Sequence, residues 1–290
     1  MIDAELWLDR FVEYLQSRNY SENTVFLYRK ASRQLLEFLA AENVESLAGL
    51  TRSHIDAMLQ VGSEVTLPED VAQHLLRVLR LEIGDACVLF NGDGHDYDAR
   101  IVHLGKREAR AEIVAARRID NESPLRITLL QGIARGEKMD WILQKATELG
   151  IARVLPVESE RSEVKLDAQR AAKRLAHWRG IVLSACEQSG RASVPEVAAP
   201  QPLAQGAGLR DGRGFILDPL ADASLSSLRD ASLQACTIAI GPEGGWSPRD
   251  RERLVAAGYE GLRLGPRVLR TETAGIAAIA ALQALRGDLG

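Results

Sequence analysis

Two glycine-containing turns near the end of the chain carry the residue types best suited to hold a ligand. The first, Gly241-Pro242-Glu243-Gly244-Gly245, follows an apolar run. Glycine permits backbone conformations and close approaches that side chains block, so this turn can present N–H and C=O groups to a planar, polar ligand. An ordinary strand-to-helix turn would explain it equally well on its own.

The second turn favours a ligand site over an ordinary strand-to-helix turn. It begins at Gly265 and places Arg267, Arg270, Thr271, Glu272 and Thr273 within seven residues, at the entrance of an Ala-rich final helix. This segment is too polar for simple packing. Either Thr271 or Thr273 is suited to cap the helix, which would leave the other side chains to face a ligand.

Several common catalytic and cofactor motifs are absent from the sequence. No GxGxxG opens a strand-helix unit, and there is no GxxxxGK[ST], so dinucleotide binding and nucleotide triphosphate hydrolysis have no support. A GxSxG elbow is missing, and the five histidines show no HExxH or other ligand spacing. Hydrolase and metalloenzyme functions are therefore disfavoured, and we predict no metal site.

The two turns belong to an alternation of strands and helices that follows the linker at 119–124. The alternation predicts an α/β fold with a largely parallel sheet covered by helices on both faces. Open sheets of this kind bind ligands at the carboxyl ends of their strands. The predicted strands are 126–131, 153–157, 214–217, 237–240 and 262–264, the predicted helices are 137–149, 167–188 and 247–257 with the C-terminal helix, and 206–214 is predicted to be a Gly-rich connection.

Residues 50–118 have a different pattern, in which short segments of alternating apolar and polar residues are separated by turn residues. Several short strands and one short helix at 68–81 predict a small β-barrel. A cluster of Asp93, His95, Asp96 and Asp98 lacks the spacing of a calcium loop and fits a hairpin turn better.

The first 49 residues predict a helical hairpin, with amphipathic helices at 3–18 and 22–41. The phrase NYSENTV at 19–25, with Tyr28, resembles the N-terminal core-binding domain of tyrosine recombinases. No recombinase catalytic domain follows. We therefore assign the hairpin no activity, and the alternative is a DNA-binding adaptor that acts through residues 1–49.

Composition is that of an ordinary cytoplasmic protein. The 290 residues have a formal net charge of −4, three scattered cysteines and no long apolar run, which predicts no disulfides and no membrane association. The net charge argues against indiscriminate coating of nucleic acid. Basic residues nevertheless cluster at 100–118 and 161–179, and each cluster taken alone is more typical of a solvated face than of an RNA contact.

Residues 50–290 resemble a known family, the bacterial 16S ribosomal RNA uridine-N3 methyltransferases of the SPOUT superfamily. The matching phrases are GEKMDW (136–141), QKATELG (144–150), ERS (160–162), EQSGR (187–191), IGPEGG (240–245) and LGPRVLRTETA (264–274). Phrases in this order over such a length are far more specific than any single glycine motif. The remaining alternative within the superfamily is an enzyme that modifies transfer RNA.

The resemblance implies a fold, a cofactor and partners. It implies that the helical extension at 1–49 is followed by a PUA-like RNA-binding β-barrel at 50–118 and a SPOUT α/β methyltransferase domain with a C-terminal trefoil knot at 125–290. It further implies S-adenosyl-L-methionine as methyl donor, a homodimer with the active site near its interface, and 16S rRNA or the small ribosomal subunit as partner.

Roles can now be assigned to residues of this sequence: the resemblance implies the cofactor-binding residues and Arg52, and the chemistry of the reaction and of RNA suggests the others. We expect Arg270 to bind the substrate oxygens or a phosphate. Uridine N3 must lose its proton before it can be methylated, and Glu272 is the carboxylate expected to accept that proton. The alternative for Glu272 is a residue of the helix start that interacts with Arg267. The expected cofactor-binding residues are Leu217, Asp218, Pro219, Gly241, Pro242, Glu243, Gly244, Gly245, Leu264, Gly265, Arg267, Leu269, Thr271 and Thr273. The expected RNA-binding residues are Arg52, Lys106, Arg107, Arg110, Arg161 and Arg191.

Overall fold

A computed structural model describes residues 61–105, 107–163, 167–229 and 232–290. The predicted hairpin at 1–49, Arg52 and Lys106 lie outside these residues. The described chain divides into two compact units. The first takes in 61–89 and Tyr97–Arg117, and the second takes in Phe90–Asp96 and Arg118–Gly290. None of the described helices has the length and hydropathy that a bilayer crossing requires.

The first unit is built on a four-stranded sheet. Its core forms because side chains at alternate positions of β3 point inward, as Tyr97, Ala99 and Ile101 show, and meet Leu75 from the helix. The elements are β1 (Glu64–Leu67), α1 (Glu69–His74, continued by a π-helical turn over Leu75–Leu79), β2 (Ala86–Phe90), β3 (His95–Leu104) and β4 (Ala109–Arg118), in the sheet order β1-β4-β3-β2. The strands and helix predicted here are confirmed.

The second unit contains a parallel sheet of seven described strands, which confirms the predicted strand-helix alternation. The sheet order is β11-β9-β10-β5-β6-β7, with β8 also paired to β6. The elements are β5 (Arg126–Gly132), α2 (Glu137–Glu148), β6 (Arg153–Glu158), α3 (Ala168–Ser189), β7 (Glu196–Val197), β8 (Gln201–Pro202), α4 (Leu203–Gly208), β9 (Arg213–Leu217), a 3₁₀ turn (Leu225–Leu228), β10 (Ala235–Ile240), α5 (Pro248–Ala256), β11 (Tyr259–Leu262) and α6 (Thr271–Arg286).

Helices cover both faces of the parallel sheet. On β5, Leu129 packs with the core under α2, α3 and α6, whereas its neighbour Leu130 packs with residues of α4 and α5 on the opposite face. Successive strand residues point to opposite faces, so a strand covered on both sides must be apolar throughout. This requirement explains the continuous apolar runs of β5 and β10.

Two sequence predictions in this unit are wrong. Residues 203–208 form α4, which overlaps the predicted Gly-rich connection, because Gly206 lets the helix lie directly on the sheet. A Cβ at Gly206 would lie 2.4 Å from Cγ1 of Val157. The strand predicted at 262–264 lies instead at Tyr259–Leu262, where Tyr259 is buried, and Leu264 belongs to the following loop.

Candidate functional site

Three loops meet at the carboxyl edge of the parallel sheet, because parallel strands end on the same side. They follow β9 at 217–219, β10 at 241–246 and β11 at 264–270. Together they surround a cavity of about 610 Å³. Most of the predicted cofactor-binding residues line this cavity, namely Leu217, Pro219, Gly241, Pro242, Glu243, Gly244, Gly245, Leu264, Gly265, Arg267, Leu269 and Thr271.

Glycine is required at two points for the 241–245 loop to lie where it does. A Cβ at Gly241 would approach the Gly245 backbone to 2.9 Å, within the same turn. A Cβ at Gly132, the last residue of β5, would lie 2.5 Å from Cδ and 2.7 Å from N of Pro242. The loop therefore rests directly on the end of the neighbouring strand.

The Glu243 carboxylate fixes the same loop to the start of α2. Its Oε1 accepts hydrogen bonds from the Arg135 backbone N–H at 3.1 Å and from Nζ of Lys138 at 3.2 Å. Burial by itself would raise the pKa of Glu243, but the backbone amides of Glu243 and Arg135 and the charged Lys138 ammonium outweigh it and lower the pKa. The carboxylate is thus held ionised as a loop anchor.

We expect Glu243→Gln to lower the melting temperature by about 2 °C at neutral pH, since it removes one charge of a partly exposed ion pair. The folded-state pKa of Glu243 is depressed, so its stabilisation exists above the ordinary value of 4.5 and is lost as pH falls through the folded pKa. Thermal unfolding between pH 3 and 8 should show the two curves converging in acid. Glu137→Gln, an exposed neighbour in α2, is the control, and a difference that persists at pH 3 would contradict this role.

A hydrogen-bond chain joins the two glycine loops. The Thr271 hydroxyl donates to the Gly241 carbonyl at 2.6 Å, and Nε2 of Gln131 donates to the Thr271 hydroxyl at 3.1 Å. Helix α6 begins at Thr271, and its N-cap is Arg270, with no side-chain capping bond. The prediction that Thr271 or Thr273 caps this helix is therefore wrong. Sequence reasoning also missed Gln131.

Two arginines and a carboxylate line the cavity at its most polar wall. Arg267 and Arg270 are exposed, and neither makes an ion pair with a described residue. The Oε2 atom of Glu272 is buried yet has no hydrogen-bond partner among those residues. An unpaired buried oxygen is costly, so this arrangement favours binding of a polar group from outside the chain.

Two predicted cofactor residues are not among those lining the cavity. Asp218 instead pairs with Arg251 and accepts the Leu220 backbone N–H at 2.9 Å. Burial would raise the pKa of Asp218, but these two donors outweigh it and lower the pKa. Thr273 is exposed on α6. Conversely, Lys138, Ile240, Trp246, Arg251, Val268 and Ala274 line the cavity and were not predicted.

The predicted RNA-binding residues are scattered. The prediction that Arg191 binds RNA needs correction, because this residue is only 6% exposed. Its guanidinium binds Glu122 and the carbonyls of Thr147 and Ile151. Its charge is therefore used inside the fold and does not face a phosphate. Arg161 is exposed but donates to the Gly244 carbonyl at 2.9 Å, so it also supports the glycine loop.

The first unit holds two more of these predicted residues. Arg107 is exposed at the turn between β3 and β4. Arg110, on β4, pairs with Glu64 at 2.9 Å and is about half exposed. Both remain available to a partner at the surface of this unit.

Comparison with protein families identifies the class. Residues 121–283 match the RNA methyltransferase domain family, and residues 67–114 match the PUA domain of RNA methyltransferases. The first match covers more than half of the chain, which therefore belongs to this family of RNA methyltransferases. Residues 8–67 match the N-terminal SAM-like domain of phage integrases, in agreement with the recombinase-like phrase near the start of the chain.

The particular relatives are ribosomal RNA small subunit methyltransferases E. The chain is 32% identical to the one from Buchnera aphidicola (subsp. Schizaphis graminum) over 243 residues, which cover 83% of this chain and 98% of the relative. It is also 32% identical to the one from Bacillus subtilis over 232 residues, 74% and 89% of the two chains.

Solved structures agree with these relatives. The Neisseria gonorrhoeae ribosomal RNA small subunit methyltransferase E, bound to S-adenosyl methionine, superposes with a TM-score of 0.73 at 42% identity, covering 80% of this chain and 95% of that one. A Legionella pneumophila methyltransferase with bound cofactor gives 0.74 at 38% identity, covering 79% and 95%.

Proposed function

We propose that this chain transfers the methyl group of S-adenosylmethionine to N3 of a uridine in the 16S ribosomal RNA of the small ribosomal subunit. The observation that carries the proposal is the cavity at the sheet edge, which brings together the 241–245 turn and the 264–272 segment singled out in the sequence. The ribosomal RNA methyltransferase relatives and the cofactor-bound structures support it.

The proposal includes the domain organisation and assembly. A helical extension occupies 1–49, a PUA-like barrel 50–118 and a SPOUT domain with a trefoil knot 125–290, and the enzyme is a cytoplasmic homodimer that serves ribosome biogenesis. The match of 67–114 to a PUA domain and the parallel sheet of the second unit support this organisation. The phage integrase match extends to residue 67, past the proposed junction after 49.

The residues of the cavity fit S-adenosylmethionine. Leu217, Ile240, Leu264 and Leu269 give apolar walls for an adenine ring, and the Gly241–Gly245 turn offers backbone polar groups beside them. The unpaired Oε2 of Glu272 supplies an acceptor at the same cavity. When bound, the cofactor supplies a methyl group already activated by its sulfonium.

The protein must then prepare the acceptor nitrogen. Uracil N3 carries a proton at neutral pH, so Glu272 accepts that proton while Arg270 stabilises the negative charge that develops on the uracil carbonyl oxygens. Both side chains line the cavity. Because a duplex hides the Watson–Crick edge, the target uridine has to be unpaired or extruded to reach them.

Arg270→Ala tests this assignment. We expect the variant to bind S-adenosylmethionine like the wild type, because the Arg270 side chain is exposed and forms no hydrogen bond or ion pair with a described residue. Methyl transfer should fall about 100-fold, the usual loss when one donor to a developing anion is removed. Isothermal calorimetry gives the affinity, and transfer of labelled methyl to small ribosomal subunits gives the rate.

Arg249→Ala, a similarly exposed arginine on α5, is the matched control and should keep full activity. Wild-type rates in Arg270→Ala would contradict the assignment. Parallel reactions with transfer RNA and DNA separate the alternatives. Preferred labelling of transfer RNA would identify transfer RNA, not 16S rRNA, as the substrate. DNA binding without affinity for the cofactor would favour an adaptor that acts through residues 1–49.

A further inference from the structure

The first half of α3 presents a strip of positive charge that the proposed mechanism does not use. Arg170, Lys173, Arg174 and His177 follow the i, i+3, i+4, i+7 spacing of one helix face, and all four are exposed. We call these four residues the basic strip. Helix α3 has no acidic residue before Glu187, although the protein as a whole has a net charge of −4.

Positive charges lie close together on the basic strip, and its first member, Arg170, is in the first turn of the helix, where a cation is also opposed by the helix dipole. The amino end of a helix carries a partial positive charge, and like charges three or four residues apart repel one another. Asp167, the N-cap, offsets only Arg170, through an exposed pair at 3.3 Å. Lys173 and Arg174 form no ion pair with any residue that the structure describes. Their charges are therefore not neutralised by the described protein and can pair with an external anion.

The strip is connected to the cavity through α2. Nε2 of His177 lies 2.9 Å from Oδ2 of Asp140, in the first turn of α2. Lys138, in the same turn, lines the cavity. The basic strip, which spans about 10 Å of helix axis, therefore lies beside the end of α2 that borders the cavity.

We propose that the basic strip binds the phosphate backbone of the substrate RNA next to the nucleotide that enters the cavity. The inference rests on the proposed function, since it gives that site a second point of contact with the same RNA. Long, flexible lysine and arginine side chains on one exposed face suit phosphates, which fix the position of a nucleic acid without reading its sequence. The first half of α3 exposes no large aromatic or apolar side chain that would favour a protein partner.

A double variant, Lys173→Gln with Arg174→Gln, tests the inference in the full-length protein. Binding to an unmodified 16S rRNA transcript should weaken about tenfold at 0.1 M salt, and the slope of log affinity against log salt should fall by about 1.5, as for two lost phosphate contacts. Cofactor affinity should not change. The melting temperature should stay level or rise, because the variant relieves repulsion in α3.

The matched control is Arg126→Gln with Arg213→Gln, which removes two exposed arginines at the amino edge of the same sheet. It should leave the salt slope unchanged. The inference is overturned if the α3 variant keeps wild-type affinity and slope, or if the control loses as much. Loss of binding to a ribosomal protein but not to the naked transcript would also overturn it. Failure of the wild-type protein to methylate any RNA would instead refute the proposed function.

Discussion

Replacing Gly132 with alanine is expected to abolish measurable S-adenosylmethionine binding, with at least a 100-fold loss of affinity. The new Cβ would lie 2.5 Å from Cδ and 2.7 Å from the backbone N of Pro242. Neither atom belongs to a flexible side chain, so the 241–245 loop must move away from β5. That movement displaces the backbone groups that face the cofactor. Isothermal calorimetry with the purified variant measures the effect.

Gly275→Ala is the control for this prediction. Gly275 lies on α6 near the same cavity, and a Cβ there would meet its nearest neighbours at 3.8–3.9 Å, which is ordinary contact. In a helix interior, alanine is also more favourable than glycine by about 1 kcal/mol. This variant should therefore bind the cofactor normally and melt no earlier than the wild type. Normal S-adenosylmethionine affinity in Gly132→Ala would show that cofactor binding does not depend on the close contact between the 241–245 loop and β5.

The glycine loops were predictable because each is specified by a few consecutive residues. Gly-Pro-Glu-Gly-Gly after an apolar run and Arg-Thr-Glu-Thr before an Ala-rich run are each contained in a few residues. The apolar runs likewise predicted the strands, since a parallel sheet buried on both faces needs them. Where a signal was short and ambiguous, as around Leu262 and Leu264, the strand position was missed.

Residues that act across long sequence separations were not predictable. Lys138 reaches Glu243 across 105 residues, and Gln131 reaches Thr271 across 140. These pairs meet only because the sheet places β10 beside β5, an order that no local pattern specifies. Arg191 shows the converse error, because its charge predicted a contact with RNA phosphate and is instead paired with Glu122 inside the fold.

We expect Gln131→Leu to weaken S-adenosylmethionine binding about tenfold. The Gly241 carbonyl can only accept, so the Thr271 hydroxyl must donate to it and needs a donor of its own. Gln131 is fully buried, and its Nε2 supplies that donor while also binding the Gly132 carbonyl at 2.8 Å. Both partners are acceptors, which fixes the amide orientation and leaves Oε1 unpaired. Leucine removes the donor, so the link between the two glycine loops loosens.

Gln283→Leu distinguishes this positioning role from a loss of stability. Gln283 is also a fully buried glutamine, but it lies at the far end of α6 and binds the Leu149 carbonyl and Ser123. Both variants should lower the melting temperature, because each loses hydrogen bonds in the interior. Only Gln131→Leu should change cofactor affinity, and adding Thr271→Val to it should cost little more, since the two side chains act as one unit. Equal affinity losses in the two glutamine variants would mean that Gln131 supports the fold in general and not the spacing of the loops.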